Sequence, residues 1–249
     1  MLNLFVGFEQ SNRYVITNEE GVTLGYIAEE QRGFLGTFGR QILRTHRPFR
    51  ALVMDSMGTP ILWLRRPFAF INSRMFVQRL KDLSEYTRDG EPVLDTFGEV
   101  QQRWHLWRRR YDTFLRKDSR RILTLATDPQ PEPETELFHQ FARVDEGFLA
   151  WRFVLRDARG EAMASISRMF RGFGRELFTD TGQYFVRFGH DSSDPQETIS
   201  KAPSIIRDLS LEERALVLAM SVNIDFDYFS RHSEGSGPGL GFWWFSSGE

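Results

Sequence analysis

Ser210-Leu211-Glu212-Glu213-Arg214-Ala215-Leu216-Val217-Leu218-Ala219-Met220 is the stretch on which the fold turns. Ser210 is a good helix N-cap, and Glu213, three residues on, completes a capping box. From Ala215 to Met220 the helix is then apolar on every face. A helix with no polar side must be enclosed by protein or lipid. The helix reads as one segment over about 210–229, its apolar run extending to Phe229 only by including Asn223, Asp225 and Asp227. A bilayer span needs about twenty mostly apolar residues, and a carboxylate near the bilayer centre costs roughly 2.5–3.5 kcal/mol. A free-standing transmembrane helix is therefore disfavoured. Enclosure by the chain's own strands is the economical solution, and the rest of the sequence supplies them.

Three segments share one pattern, an alternating run, a turn with Gly at its fourth position, and a second run. Tyr14–Thr17 turns through Asn18-Glu19-Glu20-Gly21 into Val22–Ile27; Ala51–Met54 turns through Asp55-Ser56-Met57-Gly58 into Ile61–Leu64; Trp151–Arg156 turns through Asp157-Ala158-Arg159-Gly160 into Glu161–Ser167. Asn or Asp at the first position caps the backbone, and Gly at the fourth accepts positive φ, which predicts a type I turn followed by a bulge. Trp151, Phe153 and Leu155 alternate with Arg152 and Arg156, the mark of a strand with one wet face. A fourth hairpin is expected from Trp104 to Ala126 around Lys117-Asp118-Ser119. Polar stretches at Asp82–Thr96, Asp128–Glu136 and His190–Asp208 read as surface loops. Strands in this number, with one fully apolar helix, predict a mainly β chain: a closed antiparallel barrel around a C-terminal helix. Residues 1–232 form this single domain, and 233–249 a Gly/Ser-rich tail ending in Phe242-Trp243-Trp244-Phe245, which must dock on something.

The composition agrees. Of 249 residues 41% are hydrophobic, with 23 Phe, and aromatic and β-branched residues suit half-buried pleated surfaces. Basic and acidic residues number 32 and 34. A nucleic-acid binder is usually strongly basic, so no nucleic-acid partner is expected. With no cysteine, disulfides, thiol nucleophiles and thioester-linked lipids are excluded. No basic residue precedes Arg13, which fits neither a secretory signal nor a mitochondrial presequence. His46, His105, His139, His190 and His232 are scattered without metal spacing, and no nucleophile elbow or phosphate loop is found, so no enzyme chemistry is expected.

Four blocks carry a family resemblance. Arg47-Pro48-Phe49, Asp55-x-Met57-Gly58 and Arg66-Pro67 form the first; Gln102-x-Trp104-His105 the second. Ile166-Ser167, Gly172, Arg175-Glu176 and Phe178-Thr179-Asp180 form the third, and Ile224-Asp225-Phe226 the fourth. In order and spacing the sequence resembles the phospholipid scramblases, in their fungal-type branch, over residues 8–230. The resemblance implies a tubby-like fold, a closed barrel of about a dozen strands with the apolar helix through its middle. It also implies movement of phospholipids between leaflets, often calcium-dependent. The Cys clusters and Pro-rich arm of animal relatives are absent. The family's calcium segment begins at Asp180; its second acidic position is Gly182, and Asp191 falls at the last. Calcium takes about six to eight oxygen ligands, so two carboxylates fall short of a full set. Fungal-type relatives imply a mitochondrial location and animal ones the cytosolic face of the plasma membrane.

Two clusters are candidates for lipid headgroups. Arg103, Arg108, Arg109, Arg110, Arg116, Lys117, Arg120 and Arg121 interleave with Trp104, Trp107 and Tyr111. Arg suits bidentate phosphate contacts, Trp sits at headgroup depth, and each basic residue near an anionic leaflet contributes about 1 kcal/mol. The second is Arg168, Arg171 and Arg175 with Phe170 and Phe173 between them, a composition suited to shallow insertion. A solvated strand face and an ordinary inward-packed loop are the duller readings. For Asp225 and Asp227 the expectation is that the first caps neighbouring backbone and the second reaches solvent. The expected partner is an anionic phospholipid surface, either to move lipids across it or to bind it as a non-transporting module.

Overall fold

The computed structural model describes residues 4–10, 13–30, 48–81, 90, 92–117, 123–125, 137–169, 183–188, 205 and 207–229. Its Asx turns have the geometry their sequences predict. Asp55 Oδ1 accepts from the N–H groups of Met57 (2.9 Å) and Thr59 (2.8 Å). Asp157 Oδ1 accepts from those of Arg159 (2.8 Å) and Glu161 (2.9 Å). Gly58 and Gly160 lie at φ 85° and 84°, where other residues would be strained. A register shift flanks each turn, the predicted bulge.

The described residues include thirteen strands: β1 (Leu4–Gln10), β2 (Arg13–Thr17), β3 (Thr23–Glu29), β4 (Phe49–Asp55), β5 (Pro60–Arg66), β6 (Arg74–Leu80), β7 (Val93–Arg103), β8 (Arg108–Arg116), β9 (Leu123–Leu125), β10 (Phe138–Gly147), β11 (Arg152–Arg156), β12 (Ala162–Met169) and β13 (Gln183–Phe188). They form one antiparallel sheet in the order β6-β5-β4-β3-β2-β1-β13-β12-β11-β10-β8-β7-β9. β6 also pairs with β7, from Arg74↔Gln101 to Leu80↔Leu94. The strand at one end of the order is thereby bonded to the strand next to the other end.

The decisive segment is helical. α1 (Leu211–Ile224) continues into a π-helical turn, Asp225–Phe229. Both halves of the capping box form: Ser210 Oγ accepts from Glu213 N–H at 3.3 Å, and Glu213 Oε2 accepts from Ser210 N–H at 2.8 Å. Every residue from Leu216 to Asp227 is buried, and α1 packs on β6, β7, β8 and β13. Gly98 of β7 lets it approach, because a Cβ there would stand 3.0 Å from Leu216 Cδ1. Full burial of a Leu, Ile or Met contributes about 1.5–3 kcal/mol, so the apolar turns of α1 hold it to the sheet.

Two expectations need correction. The end of the stretch read as the loop Asp82–Thr96 is the start of β7, with Leu94, Asp95 and Thr96 buried. Asp95 tolerates burial because Arg116 and Arg79 pair with it, and Thr96 Oγ1 accepts from Gln78 Nε2 at 2.9 Å. The hairpin placed around residues 117–119 instead turns at 104–107, between β7 and β8, while β9 pairs with the start of β7. That turn has neither Gly nor Pro. It is closed by Asn72 Oδ1, accepting from Trp104 N–H at 2.9 Å, and by His105 Nδ1, accepting from Trp107 N–H at 3.1 Å. The Asp128–Glu136 stretch and the tail 233–249 lie outside the described residues.

Candidate functional site

Strand alternation sorts the basic hairpin into two faces. On β8, Arg109 shares the inner face with Tyr111, and both are buried. The Arg109 guanidinium lies 4.1 Å from the Tyr228 ring centroid, with Phe148 and Phe153 at 5.5 and 5.7 Å, and donates to Ala150 O at 3.3 Å. Burial pushes its pKa below the ordinary value. Arg109 therefore belongs to the interior, on the opposite face from its two neighbours.

Arg108 and Arg110 point outward and share Asp145. Arg103, opposite Arg110 across the β7–β8 pair, donates to Asp112 Oδ2 at 3.2 Å. A cleft of about 230 Å³ opens here, lined by Arg103, Arg110, Asp112, Arg143, Val144 and Asp145. Burial raises the Asp145 pKa, but hydrogen bonds from Arg108 and Arg110 outweigh it and hold the carboxyl below its ordinary value. The cleft thus offers three guanidiniums and two carboxylates, a set that could meet a phosphodiester and an ammonium at once. Trp104 and Trp107 stand in the turn just above it, 62% and 71% exposed.

Topology brings further residues to this end of the sheet. The β5–β6 loop presents Phe68, Phe70 and Ile71, and the β10–β11 turn presents Phe148, Leu149 and Trp151, all exposed. Trp151 precedes β11 and stays outside, whereas Phe153 and Leu155 point inward as their alternation predicts. Arg168, at the end of β12, stacks 5.5 Å from the Trp151 ring centroid. Nothing local in the sequence marks these loops as neighbours; only strand pairing does.

The π-helical turn carries the buried polar centre. Asp225 accepts from the hydroxyls of Tyr14 (2.6 Å) and Tyr184 (2.5 Å). Asp227 accepts from Arg66 Nη2 (2.6 Å) and the Tyr111 hydroxyl (2.8 Å). Both carboxylates are buried, Asp227 to 4% exposure. The expectation that Asp225 caps backbone and Asp227 reaches solvent is corrected: tyrosines from β2, β8 and β13 and an arginine from β5 converge on them. Burial first, and the neighbouring carboxylates next, push the Tyr111 and Tyr184 hydroxyls well above 10.0, so both remain donors. Asn223, one turn earlier and fully buried, has no hydrogen-bond partner for its side chain among the described residues.

Of the predicted headgroup residues, Arg103, Trp104, Trp107, Arg108 and Arg110 gather at one end of the sheet. Arg171 and Arg175, like the calcium candidates Asp180 and Asp191, lie outside the described residues. Among the described residues no group of three or more His, Asp or Glu could hold a metal, and no helix is long and apolar enough to cross a membrane.

Comparison with known proteins places the chain. The family model described as Scramblase matches residues 1–231. A phospholipid scramblase family protein of Schizosaccharomyces pombe is 43% identical, over 97% of this chain and 59% of its own length. The Altered inheritance rate of mitochondria protein 25 of Saccharomyces cerevisiae is 40% identical, over 97% of this chain and 71% of its own length. Rat phospholipid scramblase 1 is 24% identical, over 93% of this chain and 57% of its own length. The chain therefore spans about three fifths of the fission-yeast protein it matches. Together with an antiparallel sheet and a buried helix toward its end, the match over residues 1–231 shows that this chain belongs to the scramblase family.

Proposed function

We propose that this protein acts on phospholipid membranes as a scramblase-like factor, promoting or regulating the movement of lipids between leaflets without consuming a nucleotide. The observation that carries the reading is the family match over residues 1–231, supported by the Arg–Trp end of the sheet. We also read the sheet as a closed, tubby-like barrel. The β6–β7 pairing favours this, as does the convergence of side chains from β2, β5, β8 and β13 on the end of α1.

Leu216, Val217, Ala219 and Met220 of α1 are fully buried among the strands, and protein interiors are close-packed. A headgroup would therefore travel along the outside of the sheet rather than through it. Arg103, Arg108, Arg110 and Arg143 are the phosphate contacts in this reading, and Asp112 or Asp145 the contact for an ammonium, with Trp104 and Trp107 at the apolar boundary and Arg168 beside Trp151. Arg171 and Arg175 would extend the surface, and calcium at Asp180 and Asp191 would tune it. The mitochondrial name of the S. cerevisiae relative favours a mitochondrial membrane, with the cytosolic face of the plasma membrane as the alternative.

Leaflet exchange of a fluorescent phospholipid in proteoliposomes, with calcium and with chelator, tests the function. Exchange above protein-free vesicles supports it, and a chelator-sensitive rate supports the calcium role. The second reading is a lipid-binding module that does not transport. Its support is the set of ion pairs within the cleft, which can open toward a headgroup without any route across the bilayer. Binding without exchange would establish it.

A further inference from the structure

Large apolar side chains are unevenly spread over the outside of the protein. Nine of those exposed among the described residues sit on three loops: Phe68, Phe70 and Ile71; Trp104, Leu106 and Trp107; Phe148, Leu149 and Trp151. These loops follow β5, β7 and β10 and open at the same end of the sheet, because neighbouring strands are antiparallel and Arg108 pairs with Gly147. The opposite end, with turns at 18–21, 55–58 and 157–160, presents mostly Asn, Asp, Glu and Gly, and the large apolar side chains exposed near it among the described residues, Val22, Met57, Ile61 and Leu211, are dispersed over separate elements.

The loops are also uncharged. Residues 67–73, 104–107 and 148–151 contain no Asp, Glu, Lys or Arg, in a chain that is 27% charged. The first charges lie one or two rows down the strands, and all but Glu146 are basic: Arg66, Arg74, Arg103, Arg108 and Arg152, with Arg103 and Arg108 beside the tryptophan turn substantially exposed. At about 3.3 Å per strand residue, these guanidiniums lie a few ångström below the apolar tips. That layering matches the outer part of a bilayer, with acyl chains, then a Trp belt, then anionic phosphates.

Hydrogen bonds hold the loops to one another and to the sheet. Asn72 Oδ1 accepts from Trp104 N–H, Ser73 O from Gln102 N–H (2.8 Å), Trp107 O from Phe148 N–H (3.2 Å) and Trp151 O from Arg168 N–H (2.8 Å). An apolar surface fixed in this way loses little entropy on docking.

We propose that this three-loop rim inserts into the interfacial layer of an anionic phospholipid bilayer, standing the sheet end-on with the Arg103–Arg110 cleft at phosphate depth. The proposal deepens the lipid reading and rests on it. Its distinct content is orientation, and the residues it adds (Phe68, Phe70, Ile71, Phe148, Leu149) lie outside the cleft.

The chain has no cysteine, so single labels can be placed at will. Leu149→Cys at the rim and Met57→Cys at the far end, each carrying an environment-sensitive fluorophore, are mixed with phosphatidylcholine–phosphatidylglycerol vesicles. In parallel, Ile71→Asp, Leu106→Asp and Leu149→Asp are assayed for vesicle co-flotation in about 1 M salt, where arginine attraction is screened. The rim label should shift to the blue and the far label should not. Each Asp variant should lose about tenfold or more in salt-resistant binding, the worth of withdrawing one large apolar side chain from lipid. Leu149→Met should retain it, and thermal unfolding should be unchanged because these side chains are exposed. Vesicle binding with equal label responses and unaffected Asp variants overturns the rim while leaving the lipid reading standing. No binding by the unmodified chain overturns both. A dimer that Leu149→Asp converts to a monomer with vesicle binding unchanged would make the rim an interface between copies and overturn the proposal.

Discussion

Replacing Asp227 by Ala removes the carboxylate that faces Arg66 across 2.6 Å while both side chains stay 3% exposed. The guanidinium would be left in the interior, stacked 4.6 Å from the Phe226 ring centroid but without its counter-charge, and the Tyr111 hydroxyl would lose its acceptor. Breaking a buried pair by deleting one partner costs about 3–5 kcal/mol, against a whole-domain stability of roughly 5–15 kcal/mol. With an m-value of about 2 kcal/mol/M, the urea midpoint should fall by about 2 M. Tryptophan fluorescence and far-ultraviolet circular dichroism should report the same shift. The companion variant Arg66→Met combined with Asp227→Leu removes both charges and should recover most of the loss, since well-packed apolar replacements of buried pairs are often neutral or better. A loss below about 1 kcal/mol for Asp227→Ala would mean that the pair is screened as a surface pair is, and the buried polar centre would be wrong.

Asn223→Leu should raise stability by about 1–3 kcal/mol, because the buried amide has no hydrogen-bond partner among the described residues; a loss in the same urea titration would show that a bound group satisfies it. Tyr111 and Tyr184 have folded pKa values above the ordinary 10.0, so their contribution is complete below about pH 10 and is lost as pH rises further. Their absorbance change near 295 nm should accordingly appear with alkaline unfolding, and an earlier titration of all tyrosines would refute their burial. For Glu213, burial raises the pKa but hydrogen bonds from Arg207 and Ser210 bring it below 4.5. Its contribution is therefore present above that value and lost as pH falls beneath it, and Glu213→Gln should flatten the acid limb of the stability profile. Ser210→Ala, which removes the other half of the box, should cost about 1 kcal/mol in thermal or urea melts.

Local chemistry was legible in the sequence wherever it is local in the structure. The Asx turns at Asp55 and Asp157 and the cap at Ser210 each depend on residues within four positions, and all formed as read. The burial of α1 followed from apolarity on every face. The turn at 104–107 carries no local signal, because its closing groups are Asn72, thirty-two positions away, and His105, which has no turn signature. Asp95 looked like loop because an acidic residue in a polar stretch usually is; its arginine partners come from β6 and β8. The Asp225 and Asp227 assignments failed similarly, since Tyr14 is 211 positions from Asp225. Arg109 is adjacent in sequence to Arg108 and Arg110, yet strand alternation alone puts it on the opposite face. The uncharged loops at 67–73 and 148–151 carry no pattern that marks them as neighbours of Trp104 and Trp107; strand order alone does.

Leaflet exchange per bound molecule tests the lipid-moving role most directly. Dithionite bleaching of a fluorescent phospholipid, in vesicles carrying equal measured amounts of the wild-type chain or of Arg103→Gln/Arg110→Gln/Arg143→Gln, compares exchange at matched occupancy. The wild type should exceed protein-free vesicles, and the triple variant should fall back toward them. Wild-type exchange equal to the protein-free rate, with the protein demonstrably bound, would contradict lipid movement and leave a membrane-binding module.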